Sequence, residues 1–450
     1  MQVIIVGAGK VGFNLAQMLS SEHDVLVIEK NDERREIIGE LLDIQTLNGN
    51  GASPAVLREA NIRGADMLIA VTEMDEINMV ACMVAKQFGV PRTVARVRNP
   101  EYTEGPHTDI SYANLGIDMV INPEQVTARE IAKLIEVPEA LNVEYYAEGR
   151  IQMVEVKIGP QAPVIGKKLK ELNIPNQCLI ACILRNNSMT VARGEDMIQN
   201  GDLVFIIVRT RDTVMVEKII GKQMGRTRSI TILGAGRTSY YLTDYLLKKK
   251  FDSVKVIEKD RTMAKYFAQR MPEALIINGD GTDPALLNEE NIGKSDVFVA
   301  ITDDDKINLL VSLLAKNLGV KKTITQVRRS DYSTLIEQVG IDIAISPRLL
   351  TAEAILRFIR RGNIVSVTLL EGDKAEVLEL IVPFRSRVAN RSLRQINLPM
   401  GTLVGAIRRK DEVIIPRGSD IIKPGDQVMV FTLPQYVSTI EKFFQNNGGK

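Results

Sequence analysis

Val3 to Asn31 reads VIIVGAGKVGFNLAQMLSSEHDVLVIEKN. The apolar run Val3-Ile4-Ile5-Val6 gives way to a glycine-rich turn, an amphipathic stretch, a second apolar run over Val25 to Ile28, and an acid, Glu29. A continuous apolar run is what a parallel strand covered by helices on both faces requires. In the turn Gly7-Ala8-Gly9-Lys10-Val11-Gly12, Gly7 permits the tight reversal. Gly9 lets the backbone approach a pyrophosphate, and Gly12 lets the following helix lie close on the strand. The first helical turn presents amide N–H groups without intrahelical acceptors at the positive end of the helix dipole, and phosphate oxygens answer both needs. Glu29 stands 17 residues after Gly12, placed at a strand end to accept hydrogen bonds from a ribose 2′-OH. GxGxxG alone is a weak signal. Between strand and helix, with the acid following, it points to a dinucleotide-binding unit.

Outward from this stretch the chain alternates. A charged helix over Asp32 to Leu42 and a strand near Ile44 to Leu47 lead to Asn48-Gly49-Asn50-Gly51. Asp66 to Val71 (DMLIAV) reads as a fourth strand with Thr72-Glu73-Met74-Asp75 beyond it, and Asp75 as a helix cap. Glu76 to Phe88 is an apolar helix, Thr93 to Val97 a fifth strand and Asp118 to Ile121 a sixth. This alternation implies a doubly wound parallel sheet, whose ligand lies beyond the strands' carboxyl ends.

The programme then repeats. Ile230 to Asp260 (ITILGAGRTSYYLTDYLLKKKFDSVKVIEKD) answers the opening stretch, Asn278-Gly279-Asp280-Gly281 answers the loop at Asn50, and DVFVAI answers DMLIAV. ITDDDKIN answers VTEMDEIN, with Asn78 and Asn308 in register, and Asp305 answers Asp75. Ile341-Asp342 answers Ile117-Asp118, so the first copy carries six extra residues, placed around His107. A smaller unit follows each copy. Gln152 to Ile158, Leu179 to Leu184 and Leu203 to Val208 are matched by Val377 to Val382, Gly405 to Arg408 and Gln427 to Phe431. Helices over Thr127 to Ile135 and Thr351 to Ile359 lead out of the large units, with Pro138 and Gly362 as stops. The expected organisation is α/β: Rossmann-like domains at 1–125 and 226–350, each followed by a linker helix and a small α+β domain, 126–225 and 351–450.

Composition narrows the function. With 57 basic and 56 acidic residues well interspersed, net charge +1, the chain lacks the basic footprint of a nucleic-acid binder. Its longest apolar runs, Met79 to Ala85 and Cys178 to Leu184, fall far short of the ~20 residues that span a bilayer. It opens on a strand with no secretory signal, so a cytoplasmic protein is expected, peripheral if it meets a membrane. Cys178 and Cys182, four residues apart on one strand, would lie ~13 Å from each other, too far for a disulfide.

Candidate ligand residues lie at the strand ends: Gly7, Ala8, Gly9, Lys10, Val11, Gly12, Glu29, Asn50, Thr72, Glu73 and Arg96 in the first copy. In the second they are Gly234, Ala235, Gly236, Arg237, Thr238, Glu258, Asp280, Thr302 and Asp303. Glu29 and Glu258 favour a free 2′-hydroxyl, hence NAD(H) or adenine nucleotides over NADP, although Lys30, Arg34 and Lys259 stand nearby. Ser239 replaces the third glycine, leaving close helix–strand packing less assured in the second copy. Arg96 and Arg98 alternate along one strand, and Gln326 takes the place of Arg96. Their spacing puts both arginines on one side, Arg96 toward a phosphate and Arg98 toward packing or an interface. The two histidines, His23 and His107, fall in loop-like stretches, and no nucleophile has a recognisable base partner. An NAD-dependent oxidoreductase would need an acid or base beside the nicotinamide. Binding without turnover is therefore favoured, with the oxidoreductase and a nucleotide sensor for some other membrane partner as alternatives.

The tandem GAG turns, the two glutamates, the NGNG and NGDG loops, VTEMDEIN and ITDDDKIN, and the small unit after each large one together resemble the TrkA family. These are regulatory subunits of Trk-type potassium uptake built from two RCK-N and two RCK-C domains. The resemblance implies a homo-tetrameric ring beneath a TrkH-like membrane subunit, at the inner face of the cell membrane. It also implies NAD(H) or ATP/ADP in the RCK-N clefts at the residues named above, gating the transporter through a change of ring shape.

Overall fold

The computed structural model describes residues 1–103, 111–221, 225–328, 339–359, 364–370 and 374–445. His107, with the six-residue difference placed around it, and Gly362 lie outside these residues.

In the first large module the strands β1 (Gln2–Val6), β2 (Asp24–Glu29), β3 (Gln45–Asn48), β4 (Met67–Ala70), β5 (Arg92–Arg96) and β6 (Met119–Ile121) form one sheet in the order β3-β2-β1-β4-β5-β6. All neighbours are parallel. The order reverses between β1 and β4, which opens a crevice at their carboxyl ends. The central strands are apolar because both faces are covered: Val3, Ile4, Ile5, Leu68, Ile69 and Val94 are wholly buried. Helix α1 (Lys10–Leu19) turns Leu15, Ala16 and Leu19 inward, and α2 (Asp32–Leu41) turns in Ile38. Helix α3 (Pro54–Glu59) contributes Leu57, and α4 (Asp75–Gln87) buries Ala81, Cys82 and Ala85 while Val80 and Met83 on its other side stay exposed. The exit helix, Pro123–Glu136, starts four residues earlier than expected and stops before Pro138.

The second large module repeats this order: β12 (Ser229–Leu233), β13 (Ser253–Glu258), β14 (Leu275–Asn278), β15 (Val297–Ala300), β16 (Lys322–Gln326) and β17 (Ile343–Ile345) form the sheet β14-β13-β12-β15-β16-β17, again parallel throughout. Its exit helix is Pro347–Ile359.

Each small module is an antiparallel five-stranded sheet. The first runs β10 (Ser188–Val191), β9 (Cys178–Arg185), β11 (Leu203–Arg209), β8 (Ile151–Lys157), β7 (Asn142–Tyr146). The second runs Ile364–Leu370, Ala375–Ile381, Gln427–Thr432, Thr402–Arg409, Glu412–Ile414.

The chain assembles these modules by kind. Met1–Ala132 and Arg228–Phe358 form one compact unit, Lys133–Thr227 and Ile359–Lys450 another. In the unit of small modules the two sheets share a core in which Phe205, Ile207 and Ala181 of one meet Val377, Ala406 and Phe431 of the other. Equivalent arginines clasp reciprocally across it: Arg193 donates to the Met400 carbonyl and Arg417 to the Asn176 side chain. The three cysteines are free and buried, and burial pushes the Cys178 thiol up to about 11. Among the described residues no helix is long and apolar enough to cross a membrane.

Candidate functional site

Gly7, at φ +105°, makes the reversal after β1, and Gly234, at φ +99°, makes it after β12. This left-handed backbone favours glycine over any residue with a Cβ. Gly9 and Gly236 are the N-caps of the helices that begin at Lys10 and Arg237, and neither cap is filled by a side chain. A Cβ added at Gly9 or at Gly236 would meet nothing within 4 Å, so the space before each first turn is open. A Cβ at Gly12 would stand 1.9 Å from the Gly7 carbonyl oxygen, so α1 is seated against the turn. Ser239 does not loosen the equivalent packing in the second module. It is fully buried and its hydroxyl donates to the Gly234 carbonyl at 2.5 Å.

Glu29 and Glu258 do more than stand at strand ends. The N–H of Ala8 donates to Glu29 Oε2 at 2.7 Å and that of Asn31 to Oε1 at 2.9 Å. Ala235 and Asp260 bond Glu258 in the same way, at 2.7 and 2.8 Å. Each carboxylate thus locks the glycine turn to the end of the second strand, with lone pairs to spare for a hydroxyl. Two cations that complicated the reading of these acids are paired elsewhere: Arg34 stands 3.9 Å from Glu73, and Lys259 is 2.7 Å from Asp280. Hydrogen bonding from Lys259 and from Thr282 holds the Asp280 carboxyl down at about 2. Asn50, its counterpart, accepts from the Ala52 N–H.

Beyond β4 the organising residue is Asn78, which marked the repeat in sequence but was not a site candidate. Fully buried, its Oδ1 accepts from the N–H of Thr72 at 2.8 Å and from the Thr72 hydroxyl at 2.7 Å. Its Nδ2 donates to the carbonyls of Thr72 and Arg96 at 3.1 and 2.8 Å. It therefore ties the loop after β4 to the end of β5. Asn308 makes the same four bonds, to Thr302 and Gln326. Recurrence of an asparagine on an otherwise apolar helix was the available signal.

Asp75 and Asp305 are not caps. Met74 and Asp304 hold the N-cap positions, and only Asp304 fills its cap with a side chain. Asp75 instead accepts from the N–H groups of Arg98 and Asn99, and Asp305 from that of Arg328.

The alternation expected to keep Arg96 and Arg98 together stops because β5 ends at Arg96. Arg98 engages Glu124 through Nε and Nη2. Arg96 donates Nη1 to the Thr72 carbonyl at 2.9 Å, and its buried Nε has no partner among the described residues. Burial first, then the neighbouring Arg98, lowers its pKa from the usual arginine value. Gln326 makes the corresponding bond to the Thr302 carbonyl at 3.2 Å without the charge. Glu73 and Asp303 are exposed, and Asp303 pairs with Arg328. Free first-turn amides, open space before them, a strand-end acid and a half-buried guanidinium with an unused donor fit a phosphate-bearing ligand.

A parallel sheet in this order, with a glycine turn and a strand-end acid, is a dinucleotide-binding fold, and here it occurs twice in one chain. The TrkA-N domain model matches residues 3–123 and 230–347, and the TrkA-C domain model residues 153–221 and 377–445. The chain belongs to the TrkA family. It is 39% identical over 452 residues to Trk system potassium uptake protein TrkA homolog 2 of Methanosarcina mazei, covering 99% of this chain and 100% of that one. It is 36% identical over 454 residues to the TrkA protein of Halomonas elongata, covering 99% of each. Among solved structures, the GsuK channel bound to NAD matches with TM-score 0.63 at 17% identity, over 98% of this chain and 78% of that one. The GsuK RCK domain matches with TM-score 0.62 at 18% identity, over 98% and 94%. The RCK fold is thus shared along essentially the whole chain.

Proposed function

We propose that this chain is the nucleotide-binding regulatory subunit of a Trk-type potassium uptake system, and that it senses its ligand without transforming it. NAD(H) or ATP/ADP occupies the two crevices, on Gly7 to Gly12, Glu29, Asn50, Thr72, Glu73 and Arg96 in one and Gly234 to Thr238, Glu258, Asp280, Thr302 and Asp303 in the other. The carrying observation is that both crevices are built to one plan, glycine turn locked to acid and fourth-strand loop stapled by asparagine, in a TrkA-family chain that matches its relatives over nearly their whole length. The relatives' name, Trk system potassium uptake protein, supports the potassium role. Four copies form a ring on the cytosolic side of a TrkH-like subunit, with domains at 1–125, 126–225, 226–350 and 351–450. A nucleotide that favours one ring shape by ~1–3 kcal/mol shifts the population that the transporter reads.

Calorimetric titration of NADH, ATP and ADP into wild type, Glu29→Ala and Glu258→Ala tests the sites. Each variant is expected to lose one class of binding. Reconstitution with a Trk-type membrane subunit tests the role, with ion flux expected to change on adding nucleotide. Steady loss of NADH absorbance with a carbonyl substrate would overturn the non-enzymatic reading, and the absence of any nucleotide binding would overturn the sensor.

A further inference from the structure

The two large modules meet at a point that touches both crevices. Strand β6 ends at Ile121, in register with Arg96 and accepting the Val97 N–H at 3.0 Å. The next residue, Asn122, is only 5% exposed. Its Oδ1 accepts from the N–H groups of Glu124 and Gln125, capping the exit helix, and its Nδ2 donates to the Tyr241 hydroxyl of the other module at 3.3 Å. Tyr241 lies on the helix Arg237–Lys248, whose first-turn amides belong to the second glycine turn. A second connection lies close by. Asp303, paired with Arg328 of its own module, also helps to stabilise the charge of Arg98 in the first, and Arg98 holds Glu124, two residues from Asn122.

We propose that the two crevices of one chain are coupled: occupancy of one changes the affinity of the other through the Asn122–Tyr241 contact, with Asp303 adding a charge-dependent share. The proposal rests on the nucleotide-binding reading above. A phosphate that draws on Arg96 competes with the Thr72 carbonyl for its guanidinium and so loads the end of β5. The Val97–Ile121 bond passes that load to β6, and Asn122 passes it to the helix of the second glycine turn. The two connections are not equal. The Asp303 side chain is 96% exposed, and an exposed charge is screened over about 10 Å at ~0.1 M salt. The Asn122–Tyr241 contact is partly buried and neutral, so salt leaves it in place. The equivalents of Asn122 and Tyr241 in the opposite copies are Ser346 and Asn14, so the amide–phenol pair is encoded once.

The test is calorimetric titration of ADP into the full chain at low and high salt. Gly9→Asp and Gly236→Asp, each placing a carboxylate in open space at one glycine turn, supply the two single-site affinities. Wild type is expected to depart from the sum of the single sites by about fivefold or more in affinity. Tyr241→Phe, which keeps the ring and removes the hydroxyl, brings the two sites to within about twofold of independence. Asn122→Ser, the residue the other copy uses, gives the same result if either variant proves unstable. Raising the salt removes only part of the wild-type coupling. A wild-type isotherm equal to the sum of the single sites, or Tyr241→Phe and Asn122→Ser variants with full coupling, overturns the proposal while leaving nucleotide binding intact. No binding in any chain overturns both.

Discussion

Replacing Arg96 by glutamine gives the first crevice the residue that the second carries at that position, and the structure fixes what this should do. In the free protein, among the described residues, Arg96 makes one side-chain hydrogen bond, to the Thr72 carbonyl, and leaves Nε buried without a partner. Glu124, within electrostatic reach, is already engaged by Arg98. Glutamine keeps the carbonyl bond, as Gln326 does, and relieves the cost of holding a cation half out of water. The stability of the free chain should therefore change by less than ~1 kcal/mol, and upward. A phosphate loses a charge-assisted hydrogen bond worth ~1.5–3 kcal/mol, which is a fall in affinity of about 10- to 150-fold. The assay is calorimetric titration of ADP into Arg96→Gln in the Gly236→Asp background, so that only the first crevice binds, beside urea unfolding of the same chains. Affinity within twofold of the parent would refute the reasoning. So would a weaker affinity accompanied by more than ~2 kcal/mol of destabilisation, which would make Arg96 a structural residue.

Asn78→Ala should cost ~3–5 kcal/mol in urea unfolding of the large-module unit, because it orphans backbone groups of Thr72 and Arg96 at ~1–3 kcal/mol each, and Asn308→Ala should match it. Gly9→Ala should leave the melting temperature within a degree or two yet abolish nucleotide binding at the first crevice. Gly12→Ala should lower the melting temperature by several degrees, since its Cβ cannot share space with the Gly7 carbonyl. Burial would raise the Asp296 carboxyl, but Lys321 and the N–H groups of Arg228 and Ser229 overcome this and hold it at about 2. An unfolded aspartate titrates near ~3.9, so this group's contribution, ~2–3 kcal/mol at most, is complete above about pH 4 and lost as pH falls toward 2. Asp296→Asn should flatten that part of the stability-versus-pH curve. Gln326→Arg alone should destabilise by ~1–2 kcal/mol by adding a third cation near Arg328 and Arg348, and Arg348→Glu in the same chain should recover most of the loss in a double-mutant cycle.

Much of this architecture was legible because it depends on local patterns. Buried parallel strands need continuous apolar runs, the turns at Gly7 and Gly234 favour glycine because φ there is +105° and +99°, and a duplicated chain shows each requirement twice. What escaped was set by partners distant in sequence. Asp75 looks like a cap from its neighbours, yet its carboxylate is claimed by amides 23 and 24 positions away. The role of Asn78 depends on where β5 ends, and that of Arg98 on a glutamate beyond β6. Ser239 looked like a loss because its hydroxyl's acceptor, the carbonyl of the turn itself, is visible only in three dimensions. The pairing of large module with large and small with small is decided by surfaces, and a linear order of modules does not reveal it.

The two crevices differ by more than one arginine. In place of Met74, Arg96 and Glu124 the second copy has Asp304, Gln326 and Arg348, while Arg98 and Asp75 persist as Arg328 and Asp305. Counting Glu73 and Asp303 with these residues, the group around the ends of the fourth and fifth strands keeps two cations and three anions in each copy, yet one cation has moved from the end of a strand to the exit helix, and Asp280 adds an acid where the first copy has Asn50. There Arg348 donates to the Arg328 carbonyl at 2.7 Å, and burial, then Arg328, lowers its pKa from the usual arginine value. Had the second site merely decayed, Arg96 would have been lost without a new arginine at the position of Glu124. A cation relocated within that group, its number kept, argues for two working sites that hold a ligand's negative charge at different places. Nucleotides that differ in the number and position of their phosphates would then favour different crevices, and a single chain could weigh two of them against each other.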